Sequence, residues 1–210
     1  MNLLVKVCGM TDGDNIRRVE ALGVDFIGFV FHEPSPRYAA IVPSYLPERA
    51  KRVGVFVDSP RKEVERKAER FGLQVLQLHG GESPDYCRRL RETLGLPLVK
   101  AFHLAETEDL RRTEPYEGLC DFFLFEPLTC LPGGSGKTFD WQLLHHYEGR
   151  TPFLLSGGIG PDSIEALRRF HHPGWAGIDL NSRFELAPGL KDVERLGQFL
   201  QALTINQSSL

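Results

Sequence analysis

Cys8, His32, Asp58, His79, His103, Glu126, Ser156 and Asp179 stand where eight short apolar runs of the chain give out. A water-facing strand end needs only some polar residue, so burial patterning does not account for this mixture of thiol, imidazole and carboxylate. Groups of these kinds, gathered at one site, can move protons without a metal. Metal-ligand spacing is absent from the adjacent pairs His145-His146 and His171-His172, whose side chains diverge on a helix; both pairs are expected on the surface. The run Gly133-Gly134-Ser135-Gly136-Lys137-Thr138 looks like a nucleotide-binding loop. The motif, however, needs a glycine where Leu131 stands, and a helix where Phe139-Asp140-Trp141 follows. It reads better as a mobile glycine loop beside a site.

The elements that must carry these groups follow from the runs themselves. Residues 3–8, 26–31, 52–57, 75–79, 98–102, 122–126, 153–156 and 175–180 are nearly continuous in apolar residues, as in strands covered on both faces. Helical stripes lie between them, clearest at 62–71 and 193–203. Asp12 and Asp162 stand at expected N-caps, and Pro84 and Pro161 suit first turns. Eight strands alternating with about eight helices in 210 residues predict an α/β fold. The economical form is a (β/α)₈ TIM barrel with a closed, parallel, eight-stranded sheet. The rival is an open doubly wound sheet, but its glycine fingerprint is missing after the first strand, where Cys8-Gly9-Met10-Thr11 follows. The second and sixth helices read as short or irregular. A single domain is expected over 1–205, with a polar tail at 206–210. In such a barrel the loops after strands seven and eight often hold phosphate through backbone N–H groups. Gly157, Gly158, Asn181 and Ser182 occupy those loops.

Composition narrows the partners. Twenty-five basic against 28 acidic residues give a net charge of −3, which removes the electrostatic case for nucleic acid or an anionic membrane as main partner. No run reaches the ~18 apolar residues of a membrane span. The first residues enter a strand-like run without a secretion signal, and Cys8, Cys87, Cys120 and Cys130 form no C-x-x-C pair. A cytoplasmic protein with reduced thiols is expected.

A set of ordered motifs carries a resemblance. They begin with Lys6-Val7-Cys8-Gly9, Gly28-Phe29-Val30-Phe31, Ser35-Pro36-Arg37 and Gly54-Val55-Phe56-Val57, followed by Leu76-Gln77-Leu78-His79-Gly80. The glycine loop through Trp141, then Leu155-Ser156-Gly157-Gly158-Ile159 and Pro188-Gly189-Leu190-Lys191-Asp192 complete the set. Together they span residues 5 to 192 and resemble the phosphoribosylanthranilate isomerase family. The resemblance implies an Amadori rearrangement of N-(5-phosphoribosyl)anthranilate to 1-(2-carboxyphenylamino)-1-deoxyribulose 5-phosphate, the third step from chorismate to tryptophan. It implies no metal and no organic cofactor, a small phosphorylated substrate as partner, and a monomer or homodimer. By the same resemblance Cys8 is the base, Arg37 holds the anthranilate carboxylate, and His79 and Asp179 lie on the substrate side. Gly157, Gly158, Asn181 and Ser182 face the phosphate.

The chain departs from the family in three places. Glu126 stands where the family has its general-acid aspartate, with Asp58 or Asp179 as fallback carboxylates. The segment Leu128-Thr129-Cys130-Leu131-Pro132 is unlike the usual loop. Asn181-Ser182-Arg183 replaces a Ser-Ser-Gly run, leaving Arg183 either an added phosphate charge or a side chain turned to solvent. Two other readings stay open: a catalytically silent barrel that binds a phosphorylated metabolite, and a sugar-phosphate isomerase that also serves histidine synthesis. The latter uses a carboxylate where Cys8 stands.

Overall fold

A computed structural model describes residues 3–128 and 141–205. The glycine loop at 133–138, Cys130 and the tail at 206–210 lie outside the described residues. Eight parallel strands close into a barrel in chain order: β1 (Leu4–Val7), β2 (Phe26–Val30), β3 (Lys51–Phe56), β4 (Val75–Leu78), β5 (Leu98–Leu104), β6 (Phe122–Pro127), β7 (Phe153–Leu155) and β8 (Trp175–Leu180). Closure is the β1–β8 pairing, which sets Lys6 opposite Asp179. The open-sheet alternative is thereby excluded.

The strands read as continuous apolar runs because each has two apolar faces to cover. One set of alternate residues fills the barrel: Phe26, Val53, Val75, Val99, Ala101 and Leu124 form a cluster with Leu4 and Phe122. The other set, with Phe29, Phe56 and Phe123 among it, packs outward against helix residues such as Phe71, Leu90 and Leu196. A wholly buried phenylalanine such as Phe123 contributes roughly 2–3 kcal/mol by leaving water. The inward set has a consequence for chemistry. Stepping by two from Leu4 reaches Lys6 and Cys8; from Val75, Gln77 and His79; from Phe122, Leu124 and Glu126. Apolar residues thus plug the lower barrel, and polar ones crown it at the carboxyl ends.

The helical layer is less regular than the pattern predicts. Five α-helices are present among the described residues: α1 (Gly13–Glu20), α2 (Arg61–Phe71), α3 (Pro84–Leu94), α4 (Ile164–Arg169) and α5 (Val193–Ile205). Asp12 caps α1 by accepting from Asn15 N at 2.8 Å, and Pro84 opens α3 after the Ser83 cap. Asp162 is not the cap expected of it. It sits within a 3₁₀ turn, Pro161–Ser163, and its carboxylate pairs with Arg183. The fifth and sixth helical positions are 3₁₀ segments, Thr107–Tyr116 and Trp141–His146.

No helix joins β2 to β3. Pro34, Pro36, Pro43 and Pro47 remove backbone donors from this crossover, and a carboxylate organises its end instead. Buried Glu20 Oε1 accepts from the backbone N–H of Glu48, Arg49 and Ala50 at 2.9, 2.7 and 2.9 Å. A short antiparallel hairpin, β9 (Glu185–Ala187) and β10 (Leu190–Lys191), follows β8 and was not legible as strands in the sequence.

Candidate active site

At the carboxyl ends of the strands a cavity of about 290 Å³ opens. Its walls include Cys8, His79, Glu126 and Asp179, and Gly157, Gly158, Asn181 and Ser182 face the same space. His32 and Ser156 also line it.

Cys8 is buried, 4% exposed, and owes its room to Gly28: a Cβ there would lie 2.8 Å from the Cys8 sulfur. Beneath it Lys6 Nζ donates to Asp179 Oδ1 at 2.8 Å, both side chains nearly free of solvent. Burial opposes the Lys6 charge, but the Asp179 carboxylate and the Cys8 sulfur together outweigh it and hold the ammonium well above its ordinary value. For Cys8 the balance differs. Burial pushes the thiol up, and Lys6 draws it down only in part because Asp179 pushes the same way as burial. The net direction is upward, so the resting group is a thiol.

Glu126, from β6, meets two imidazoles. His79 Nε2 lies 2.6 Å and His103 Nε2 2.7 Å from Glu126 Oε1, the rings crossing edge to face at 5.4 Å. Burial raises the carboxyl, yet the hydrogen bonds and charge of His103 and His79 outweigh it and hold Glu126 far below the usual carboxylate range. Gln77 stands behind His79, with Nε2 at 2.9 Å from Nδ1, and its own buried Oε1 has no hydrogen-bond partner.

Arg37 does not line the cavity; its side chain is held by the hairpin. Its Nε lies 2.9 and 3.0 Å from the two Glu185 oxygens, and one terminal nitrogen donates to Oε2 at 2.5 Å. Glu185 also accepts from Lys191 Nζ at 2.6 Å, and Lys191 donates on to Asn181 Oδ1 at 2.7 Å. The hairpin therefore ties the arginine to the loop after β8. Arg183 lines the cavity, and its guanidinium is turned to Asp162 at 2.8 and 2.9 Å, both side chains being exposed.

Of the fallback carboxylates, Asp179 is committed to Lys6. Asp58 is exposed, lies outside the cavity lining, and accepts from Gly81 N at 2.7 Å. None of His145, His146, His171 and His172 lines the cavity. His145 is exposed, whereas His172 is half-buried against Tyr147 and Phe153, a partial correction to the surface expectation.

From the sequence, Lys6 stands two residues before Cys8 and can help ionise the thiol only if their side chains meet; sequence reasoning did not single out Gln77, Glu185 or Lys191. Gln77 had a signal, the two-residue step inward from His79. For the last two the only hint was the Pro188-Gly189 turn, which brings 185 and 191 side by side.

The family model described as N-(5′-phosphoribosyl)anthranilate (PRA) isomerase matches residues 5–202. An N-(5′-phosphoribosyl)anthranilate isomerase of Phocaeicola vulgatus is 48% identical over 201 residues, covering 96% of this chain and 98% of the relative. The crystal structure of the phosphoribosyl anthranilate isomerase of Thermotoga maritima superposes with a TM-score of 0.81 at 30% identity, covering 96% and 98% of the two chains. A phosphoribosyl anthranilate isomerase in complex with reduced 1-(o-carboxyphenylamino)-1-deoxyribulose 5-phosphate gives 0.79 at 27%, with the same coverage. The barrel, the crown of polar strand ends and these matches over nearly the whole length agree: this chain belongs to the N-(5′-phosphoribosyl)anthranilate isomerase family.

Proposed function

We propose that this chain converts N-(5-phosphoribosyl)anthranilate into 1-(2-carboxyphenylamino)-1-deoxyribulose 5-phosphate, the Amadori step of tryptophan biosynthesis. The observation that carries this reading is that Cys8 and Glu126, from β1 and β6, open into one cavity with the Gly157-Gly158 and Asn181-Ser182 loops. In this reading those loops receive the phosphate through backbone N–H groups. Glu126 delivers a proton to the ribose ring oxygen. The C1–O bond breaks with its electron pair going to that oxygen, and the anilino nitrogen's lone pair forms the iminium. Cys8, as thiolate, removes the proton from C2, and the resulting enolamine tautomerises to the ketone. Atoms and charge balance without an outside reagent.

Glu126 must carry a proton when it acts, and the two imidazole groups at 2.6 and 2.7 Å are the neighbours that can pass one to Oε1. Asp179 keeps Lys6 charged beneath Cys8, so a thiolate formed there faces an ammonium. Arg37, steadied by Glu185, takes the anthranilate carboxylate with its remaining N–H groups. The assignment extends to a cytoplasmic protein acting as a monomer or homodimer; no described helix is long and apolar enough to cross a membrane.

Turnover of freshly generated phosphoribosylanthranilate, followed as loss of its fluorescence, tests the reading in wild type and Glu126→Gln. Robust wild-type turnover with a 10²–10⁴-fold lower kcat in the variant, roughly the worth of a general acid, is expected. A silent wild type that still binds the product analogue would make the chain a phosphometabolite-binding barrel. Near-wild-type turnover in Glu126→Gln would remove glutamate from the acid role.

A further inference from the structure

His79, His103 and Glu126 stand at the ends of three adjacent strands, β4, β5 and β6, with His103 directly opposite Glu126 in the strand register; His79 and Glu126 line the cavity. One ring nitrogen of each histidine and one carboxylate oxygen lie within 4.8 Å of one another. We propose that these three atoms form a binding site for a zinc-class divalent cation, an inhibitory site rather than a cofactor site.

Two imidazoles and one carboxylate, with a fourth position open to the cavity, are the donor set that suits Zn²⁺ and its neighbours in the transition series. The hard ions Mg²⁺ and Ca²⁺ prefer oxygen-only shells. A tetrahedral zinc with bonds of about 2.0–2.2 Å separates its ligands by about 3.3 Å. The His79 and His103 contacts to Oε1, 2.6 and 2.7 Å, must therefore widen by roughly 0.6 Å. The side chains can give this much, His79, His103 and Glu126 being 24%, 36% and 18% exposed.

A second observation points the same way. A metal-bound imidazole nitrogen offers a lone pair, so its other ring nitrogen carries the hydrogen and needs an acceptor. Gln77, 1% exposed, has its amide against His79 Nδ1 and a buried Oε1 without a partner. A half-turn of the amide puts that oxygen on Nδ1–H and leaves Nε2 free to ligate. The ion would take the Glu126 oxygen that otherwise carries the proton, so zinc would suppress turnover. Only this suppression rests on Glu126 as the acid; the site itself does not.

Chelator-stripped protein titrated with Zn²⁺ by calorimetry, and with Co²⁺ by visible absorption, tests the site directly. Wild type should bind one equivalent. Affinity should fall by more than roughly tenfold in His103→Asn and by roughly tenfold in Gln77→Leu, and stay unchanged in the surface control His145→Asn. Zinc should depress wild-type turnover, and chelator should restore it. Lack of stoichiometric binding in wild type, equal binding in His103→Asn, or loss of binding in His145→Asn would overturn the site. Binding that depends on His103 but leaves turnover untouched would uphold the site and overturn Glu126 as the acid.

Discussion

Arg37 and Glu185, 148 positions apart, meet in a side-on fork, with Lys191 closing on the same carboxylate from β10. All three side chains are mostly or wholly buried, at 20%, 5% and 0% exposure. Burial pushes the Glu185 carboxyl up, but hydrogen bonds from Arg37 and Lys191 outweigh it and leave it lowered. Glu185→Gln would strand two cations in a low-dielectric setting, and a loss of about 3 kcal/mol is expected from urea unfolding. Since the folded group is depressed below its unfolded value of about 4.3, its stabilisation is full above that pH. It is lost as pH falls through the folded value. The variant should therefore lack part of the acid-side slope of stability, and KM should rise more than kcat falls. A midpoint shift worth less than about 1 kcal/mol would contradict the buried network.

Cys8 gives a pH prediction of opposite hand. Its thiol is held above the ordinary value by burial, and the reaction needs the ionised form. The kcat/KM profile should therefore climb with pH through about 8.5 and beyond it, the limb belonging to the base. Cys8→Ala should remove this limb and lower kcat by 10²–10⁴-fold, roughly, while product-analogue binding persists. A profile already flat below pH ~8 in wild type would mean that the base is another group.

Lys6 and Asp179 separate architecture from chemistry. Asp179→Asn leaves a buried ammonium without its partner and should cost about 3–5 kcal/mol in chemical denaturation. Because Lys6 is raised above its unfolded value of about 10.4, the pair's contribution is full below that pH. It is lost only as pH rises through the folded value. Replacing both by apolar residues, Lys6→Met with Asp179→Leu, should recover most of the stability. Turnover should remain lost, because the charge beneath Cys8 is gone. Recovery of both would reduce the pair to a structural role.

The barrel was legible because its signal is local: two apolar faces on every strand make each run stand out, and eight runs at even spacing admit few folds. The polar crown was legible for the same reason, each site residue being the point where a run gives out. The helical layer was harder. Prolines between 34 and 47 break the second crossover, yet the carboxylate that organises its end belongs to Glu20, back in α1. Partnerships between distant residues left no trace in any run. Nothing near Arg37 announces Glu185, and nothing near Glu126 announces two histidines on neighbouring strands. Barrel closure creates the first, and the pairing of β4, β5 and β6 creates the second.

Gly157 and Gly158 make the last prediction, because two adjacent glycines with similar backbones differ in what surrounds them. Their φ angles are +82° and +73°, a region that costs an alanine about 1–2 kcal/mol. At Gly158 a Cβ would meet nothing within 4 Å. At Gly157 it would lie 2.1 Å from Pro127 Cδ and 3.3 Å from Glu126 Cβ. Gly158→Ala should thus lose about 1 kcal/mol of stability, with any kinetic effect confined to KM. Gly157→Ala must push Pro127 aside, and Glu126 is its covalent neighbour, so the carboxylate moves off His79 and His103. Its kcat should fall by roughly tenfold or more, since a misplacement near 1 Å can cost up to about 10²-fold. Equal kcat losses in the two alanine variants would mean that the glycines serve only the phosphate end and that Glu126 does not depend on this packing.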